Sequence, residues 1–175
     1  TGPALNCTGT AFTLTATLQG ASTGNETFQW YLDGAAEGAA QTVAIASPFT
    51  TTTLAQTKTS QAIPYIYTVL ATDPSGCTTL SEPFYVYVNE NPVVSISTTS
   101  AEVCEGGQVT LTANASGDLN YQWYHTTVAD ANKITNGTGV SVDVNPTTTI
   151  NKYIVVVTDR DGHCTGQGEI TITVN

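Results

Sequence analysis

The sequence predicts an all-β chain made of two tandem sandwich domains, and three observations predict it. Apolar residues alternate with Thr in short runs, Phe12-Thr-Leu-Thr-Ala16 and Val109-Thr-Leu-Thr-Ala113, which is the period of a half-buried strand. The runs recur as a set. Phe28-Gln-Trp30-Tyr31 is matched by Tyr121-Gln-Trp123-Tyr124, and Tyr67-Thr-Val69 by Tyr153-Ile-Val155, so one unit is written twice. Composition agrees. Met is absent, charged residues are 10 %, hydrophobic residues are 40 %, and Thr, roughly one residue in five, is β-branched and polar and so suits the solvent face of strands.

The order of these pieces is that of an immunoglobulin-type sandwich. There strand B faces strand F across the core, a strand C Trp packs between them, and a Tyr sits two residues before the F-strand core position. In the first repeat Cys7 precedes strand B, with Phe12, Leu14 and Ala16 inward; in the second Cys104 precedes it at the same spacing, with Val109, Leu111 and Ala113 inward. Loops rich in Gly, Ser and Asn lead to the Trp strands. The middle of each repeat then diverges. Thr42-Val-Ala-Ile45 is the expected counterpart of Val140-Ser-Val142-Asp-Val144, and Phe49 to Ser60 reads as extra Thr-rich sequence. Pro48 and Pro146 precede Thr runs expected to join strands E and F. The F strands, Tyr67 to Asp73 and Tyr153 to Asp159, end in Asp-Pro-Ser-Gly76-Cys77 and Asp159-Arg-Asp-Gly162-His-Cys164. Asp and Gly tolerate the backbone angles of a tight reversal. Phe84-Tyr-Val-Tyr-Val88 and Ile170-Thr-Ile-Thr-Val174 close the repeats. Pro92 in Asn89-Glu-Asn-Pro92 marks the boundary, giving domains 1–90 and 91–175 with a short linker that should restrict the angle between them.

The net charge is −10 with four Lys+Arg. A phosphate backbone or an anionic membrane surface would be repelled. No run is long enough to span a bilayer and the chain opens without a charged or apolar leader, so it reads as a mature segment of a larger protein. Four cysteines, two per repeat and without a Cys-x-x-Cys pair, point to disulfides in an extracellular setting.

The usual B–F bridge positions hold Ala16 with Val69 and Ala113 with Val155, so apolar packing around Trp30 and Trp123 replaces the core disulfide. The residues leave two connectivities open. Two cysteines in each self-contained repeat favour Cys7–Cys77 and Cys104–Cys164. B and F run in the same direction, however, which sets the two cysteines of a repeat at opposite ends, so that such a pair would need the chain to fold back. The alternative crosses the boundary as Cys7–Cys164 and leaves Cys77 and Cys104 for neighbours in a longer array.

Other candidate sites are sparse. Asp159 and Asp161 lie in a loop expected to face the linker's Glu90, a carboxylate set that calcium would want; the bland reading is a solvated Asp-Gly turn, and no cofactor is required. Tyr85 and Tyr87 should point outward and could stack on a sugar or a partner, or simply cover Ile66 and Leu70 on the next strand. His163 beside Cys164 could suggest an activated thiol, against the bland reading of a turn histidine beside a disulfide half; His125 stands apart and no Gly-x-Ser-x-Gly motif occurs, so the chain reads as non-enzymatic. Asn6, Asn25, Asn114 and Asn136 head Asn-x-Ser/Thr matches, which arise readily by chance in Thr-rich sequence.

Cys104-x-Gly-x-x-Val109-Thr-Leu-Thr-Ala113, Tyr121-Gln-Trp123-Tyr124 and Tyr153-x-Val155-x-Val157-Thr-Asp159 through Cys164 together resemble the tandem immunoglobulin-like or PKD-like repeats of Bacteroidetes surface proteins. These include the long mobile adhesins of gliding motility, of the SprB type, exported by the type IX system. The PKD stretch Trp-Asp-x-Gly-Asp-Gly is here Trp30-Tyr-Leu-Asp-Gly34 and Trp123-Tyr-His-Thr126, which departs from true PKD domains. The resemblance implies a stalk or adhesive segment at the cell surface, with neighbouring repeats and a polysaccharide or solid surface as partners and no active site to carry over. An accessory carbohydrate-binding module of a secreted enzyme is the alternative. A eukaryotic receptor ectodomain is disfavoured by the missing core disulfide.

Overall fold

The computed structural model describes residues 4–19, 24–44 and 49–175. The chain divides into two compact units, Thr1–Glu90 and Asn91–Asn175.

In the first unit β1 (Ala4–Cys7), β2 (Ala11–Gln19), β3 (Glu26–Leu32), β4 (Ala35–Val43), β5 (Phe49–Thr57), β6 (Tyr65–Thr72), β7 (Thr78–Leu80) and β8 (Phe84–Asn89) form two sheets. One runs β1-β8-β6-β3-β4 with β7 also on β6; the other is the pair β2-β5. The alternation that predicts β2 is realised, with Leu14 buried and every Thr of the strand exposed. Between the sheets lie Leu14, Phe28, Trp30, Leu54, Tyr67, Val69, Val86 and Val88. Trp30 pairs in register with Val69 and donates its indole N–H to Thr52 Oγ1 at 3.4 Å. The Thr52 hydroxyl in turn donates to Gln41 Oε1 at 2.9 Å, so a polar residue, 2 % exposed, stays in the core without an orphaned hydroxyl.

The structure corrects the reading of this unit's middle. The Thr-rich run is a nine-residue strand, β5, antiparallel to β2 from Ala11↔Thr57 to Gln19↔Phe49, and not part of an E–F loop. Its counterpart in the second unit is β13 (Ser141–Val144), because Leu54 lies opposite Leu14 as Val142 lies opposite Leu111. Alternate residues Thr50, Thr52 and Leu54 are buried, so β-branched Thr here serves both faces of a strand. Thr42 and Val43 instead end β4, which returns along β3; Ile45 and Pro48 lie outside the described residues. The β3–β4 reversal is Asp33-Gly34, both at positive φ (50° and 84°), the geometry that an Asp-Gly two-residue hairpin favours.

In the second unit β9 (Val94–Thr98), β10 (Glu102–Val103), β11 (Val109–Ala115), β12 (Leu119–His125), β13, β14 (Lys152–Asp159), β15 (Thr165–Thr171) and β16 (Thr173–Val174) form the sheets β13-β11-β9 and β12-β14-β15 and the parallel pair β10-β16. A 3-10 turn at Asp130–Asn132 and a bridge between Tyr124 and Lys133 stand where the first unit has β4. Trp123 is fully buried opposite Val155 and donates to the Gly139 carbonyl at 2.9 Å. Leu111, Ala113, Val155, Val157 and Ile172 complete the core, with Ala and Val at the would-be disulfide positions.

Candidate functional site

The cysteine turns are built alike in both units. After β6, the Asp73 carboxylate accepts the backbone N–H of Ser75 and of Cys77, each at 2.8 Å, and the Ser75 hydroxyl at 2.7 Å. The Ser75 hydroxyl first, then the Cys77 amide, hold its pKa below the usual carboxylate range. After β14, in a turn one residue longer, the Asp159 carboxylate accepts the backbone N–H of His163, the residue before Cys164, at 2.7 Å. In both turns the Asp N–H donates to the cysteine carbonyl at 2.9 Å, Asp73 to Cys77 and Asp159 to Cys164. Gly76 and Gly162 supply the positive φ that the reversal needs. Each turn therefore fixes a cysteine at one end of its sandwich.

The other cysteine of each unit sits before strand B. Cys7 ends β1, in register with Asn89 of β8, and Cys104 follows β10, which pairs with β16. Cys7 and Cys164 are disulfide-bonded, and Cys77 and Cys104 are exposed free thiols. The within-repeat pairs Cys7–Cys77 and Cys104–Cys164 are therefore not formed. The reason is distance along the sandwich. Cys7 lies beside Asn89 at the far end of β8, whereas Cys77 precedes β7. Twelve residues of mostly extended chain, on the order of 30 Å or more, separate those levels, against the roughly 4.4–6.8 Å between Cα atoms that a disulfide accepts.

Tyr85 and Tyr87 are each 41 % exposed on β8, while Val86 and Val88 of that strand are buried. Tyr85 lies opposite Ile66, and Tyr87 opposite Leu5. Ile66 and Leu5 are themselves exposed, so the outer face carries an apolar strip of four side chains. Leu70 is not beneath it; its cross-strand neighbours are Gln29 and Leu80.

The metal candidates are not assembled into a ligand shell. Among the described residues no group of three or more His, Cys, Asp or Glu could hold an ion. The Asp159 carboxylate is engaged by its own turn, and Glu90 accepts the Ser60 hydroxyl at 3.1 Å. His125 Nδ1 lies 3.3 Å from Thr126 Oγ1, and His163 contributes its backbone N–H to the turn. These contacts are local.

A cavity in the first unit was not anticipated from sequence. It has a volume of about 630 Å³ and is walled by Thr13–Leu18 of β2, by Phe28, Trp30, Tyr67 and Val69 of the core, and by Thr79, Ser81 and Phe84.

Residues 90–175 match the family model described as "Ig-like domain CHU_C associated". Comparison with curated protein sequences gives no match. Among solved structures, the fibronectin(III)-like modules of Clostridium thermocellum CbhA are 16 % identical, with TM-score 0.43, over 99 % of this chain and 90 % of that one. The amphioxus IgVJ-C2 molecule is 16 % identical, with TM-score 0.35, over 97 % and 99 %. An I-band fragment of titin is 13 % identical, with TM-score 0.47, over 100 % and 63 %. The chain is an all-β protein of immunoglobulin-like sandwiches, and its second repeat is similar to the CHU_C-associated Ig-like domain.

Proposed function

We propose that the chain is a non-enzymatic tandem-repeat segment of a large bacterial cell-surface adhesin, serving outside the cell as stalk or spacer. The observation that carries this reading is that each repeat holds one disulfide-bonded cysteine, Cys7 in the first and Cys164 in the second, and one exposed thiol, Cys77 and Cys104. Cys104 holds the position in its repeat that Cys7 holds in the other, and Cys77 the position of Cys164. In a longer array Cys104 would bond the turn cysteine of a following repeat, and Cys77 the cysteine before strand B of a preceding one. Tension would then cross each junction through a covalent bond as well as through the linker. Gliding motility, type IX export and contact with a surface polysaccharide are the finer part of this reading, and they rest on the resemblance. The test is a non-reducing digest of the native surface protein. Cys77 and Cys104 are expected in linked peptides with other repeats, and finding both as free thiols there would count against a riveted array.

The tyrosine strip favours a second reading, an accessory carbohydrate-binding module of a secreted enzyme. Aromatic faces stack on sugar rings, and Tyr85 and Tyr87 are exposed on one sheet face. Glycan-array binding that is lost in the Tyr85→Ala, Tyr87→Ala double variant would support this module. An array with no bound glycan would leave the spacer.

A further inference from the structure

We infer that the outer face of the first repeat's larger sheet binds an uncharged polysaccharide, with sugar rings laid against its tyrosines. This rests on the carbohydrate-binding reading above and names the ligand class and the footprint. Five exposed large apolar side chains stand on that face: Leu5 on β1, Ile66 on β6, Leu80 on β7, and Tyr85 and Tyr87 on β8. The register joins them. Leu5 lies beside Tyr87, Tyr85 beside Ile66, and Leu80 beside Leu70.

The fold does not require them. With Trp30 on Val69 matched to Trp123 on Val155, the five correspond in register to Glu102, Lys152, Gln167, Thr171 and Thr173. The second repeat thus closes the same sheet with a polar or charged residue at every one of these places. Glu102, Gln167, Thr171 and Thr173 are exposed there although β9 precedes them in the chain, so a strand ahead of β1 would leave this face open too. The exposed large apolar residues of the second repeat, Val93, Val128, Val140 and Ile150, lie outside its strands. Packing therefore does not account for the first repeat's set, and a contiguous exposed apolar patch marks an interaction surface.

Charge and size select the occupant. β1, β6, β7 and β8 contain no charged residue, in a chain of net charge −10. The border carries Glu82, between β7 and β8, and Asp33, whose carboxylate accepts the Ile66 N–H at 3.0 Å. The four cations of the chain all pair with carboxylates off these strands. A polyuronate or an anionic lipid surface would meet carboxylates here and no cation. A second copy is disfavoured by area: five partly exposed side chains offer on the order of a few hundred Å², against about 800 Å² per partner in a stable interface. A neutral glycan fits, because its hydroxyls need no countercharge and the C–H faces of its rings stack on aromatic side chains. Two residues apart on one strand, Tyr85 and Tyr87 stand about 7 Å apart. They can therefore take successive sugars of one chain, flanked by Leu5 and Ile66.

The test is affinity electrophoresis of the intact chain through gels that each hold one soluble polysaccharide. The neutral probes are a mixed-linkage β-glucan, a galactomannan and an arabinoxylan, and the anionic probe is polygalacturonate. At least one neutral polymer should retard the chain and polygalacturonate should not. Tyr85→Thr with Tyr87→Thr should weaken that retardation about tenfold or more, and Ile66→Lys on the neighbouring strand should weaken it too. These variants carry the residues that the second repeat has at those places, and unchanged hydrogen exchange in β6 checks that the sheet is kept. Retardation by polygalacturonate alone would overturn the neutral class, and neutral-polymer retardation that both variants keep would overturn the footprint; either leaves the carbohydrate-binding reading standing. Oligomerisation of the parent chain that the Tyr variant loses would assign the face to a second copy instead. No retardation in any gel would overturn the carbohydrate-binding reading and this inference with it.

Discussion

Removing one oxygen atom should have opposite effects in the two repeats. Tyr153 is 3 % exposed and donates its hydroxyl to the Ile150 carbonyl at 3.3 Å, the corner contact of immunoglobulin-like folds. Tyr67 is 1 % exposed, yet its hydroxyl has no hydrogen-bond partner among the described residues; Pro64 stands at the position of Ile150. Burial of an unpaired hydroxyl costs about 1–3 kcal/mol, and a neutral hydrogen bond contributes about 0.5–1.5 kcal/mol net. The dispersion attraction of a single oxygen is worth only a few tenths of a kcal/mol. Tyr67→Phe should therefore stabilise the first repeat by about 1 kcal/mol, and Tyr153→Phe should destabilise the second by about 1 kcal/mol. Each change corresponds to roughly a fivefold shift in an opening equilibrium. Hydrogen exchange of the intact chain reads β6 and β14 separately, and protection should rise in β6 for the first variant and fall in β14 for the second. A loss of protection in both would refute the reasoning, because it would show that the Tyr67 hydroxyl is hydrogen-bonded in solution.

Trp123→Ala empties the centre of the second core and leaves the Gly139 carbonyl without its donor. Denaturant unfolding should show a loss of about 3–5 kcal/mol confined to that repeat. Burial, then the Glu37 carboxylate, pushes the Tyr67 phenol above its ordinary range. The folded state thus holds this proton more tightly than the unfolded chain. The associated stability is complete below about pH 10 and is lost as pH rises through the folded pKa. Thermal melts across the alkaline range should show that loss in the parent chain and a smaller one in Tyr67→Phe. Asp73 behaves in the opposite sense. Its pKa is lowered by Ser75 and Cys77, so its contribution is present above about pH 4 and is lost as pH falls through the folded pKa. The Ser75 and Cys77 amide resonances should titrate with a midpoint below that of a free aspartate.

Much of this architecture is written locally. The Thr alternation specifies β2 and β11, and the two Trp and two Tyr place strands C and F, because each choice concerns one strand face and its period. The Asp-Gly turns of both repeats follow from residue type alone. What sequence does not convey is pairing. The run Phe49–Thr57 carries Thr on both faces, so its period does not say which side is buried, and β5 is identified only by its register with β2. The Asp33-Gly34 signal for the β3–β4 hairpin is present, but the Ala- and Gly-rich strand that follows has little side chain to announce itself. Among the candidate sites, the outward direction of Tyr85 and Tyr87 is legible from the alternation with Val86 and Val88. The cysteine partners are not, because a disulfide depends on where strand ends lie in space.

The proposed function requires covalent strength at the ends of these sandwiches, in cysteines that join repeats of a longer array. Alkylation of the native, non-reduced 175-residue chain, followed by proteolysis and mass spectrometry, tests it most directly. Alkylated Cys77 and Cys104 and a linked peptide pair containing Cys7 and Cys164 are expected. Recovery of Cys7 linked to Cys77, or of Cys104 linked to Cys164, would contradict it.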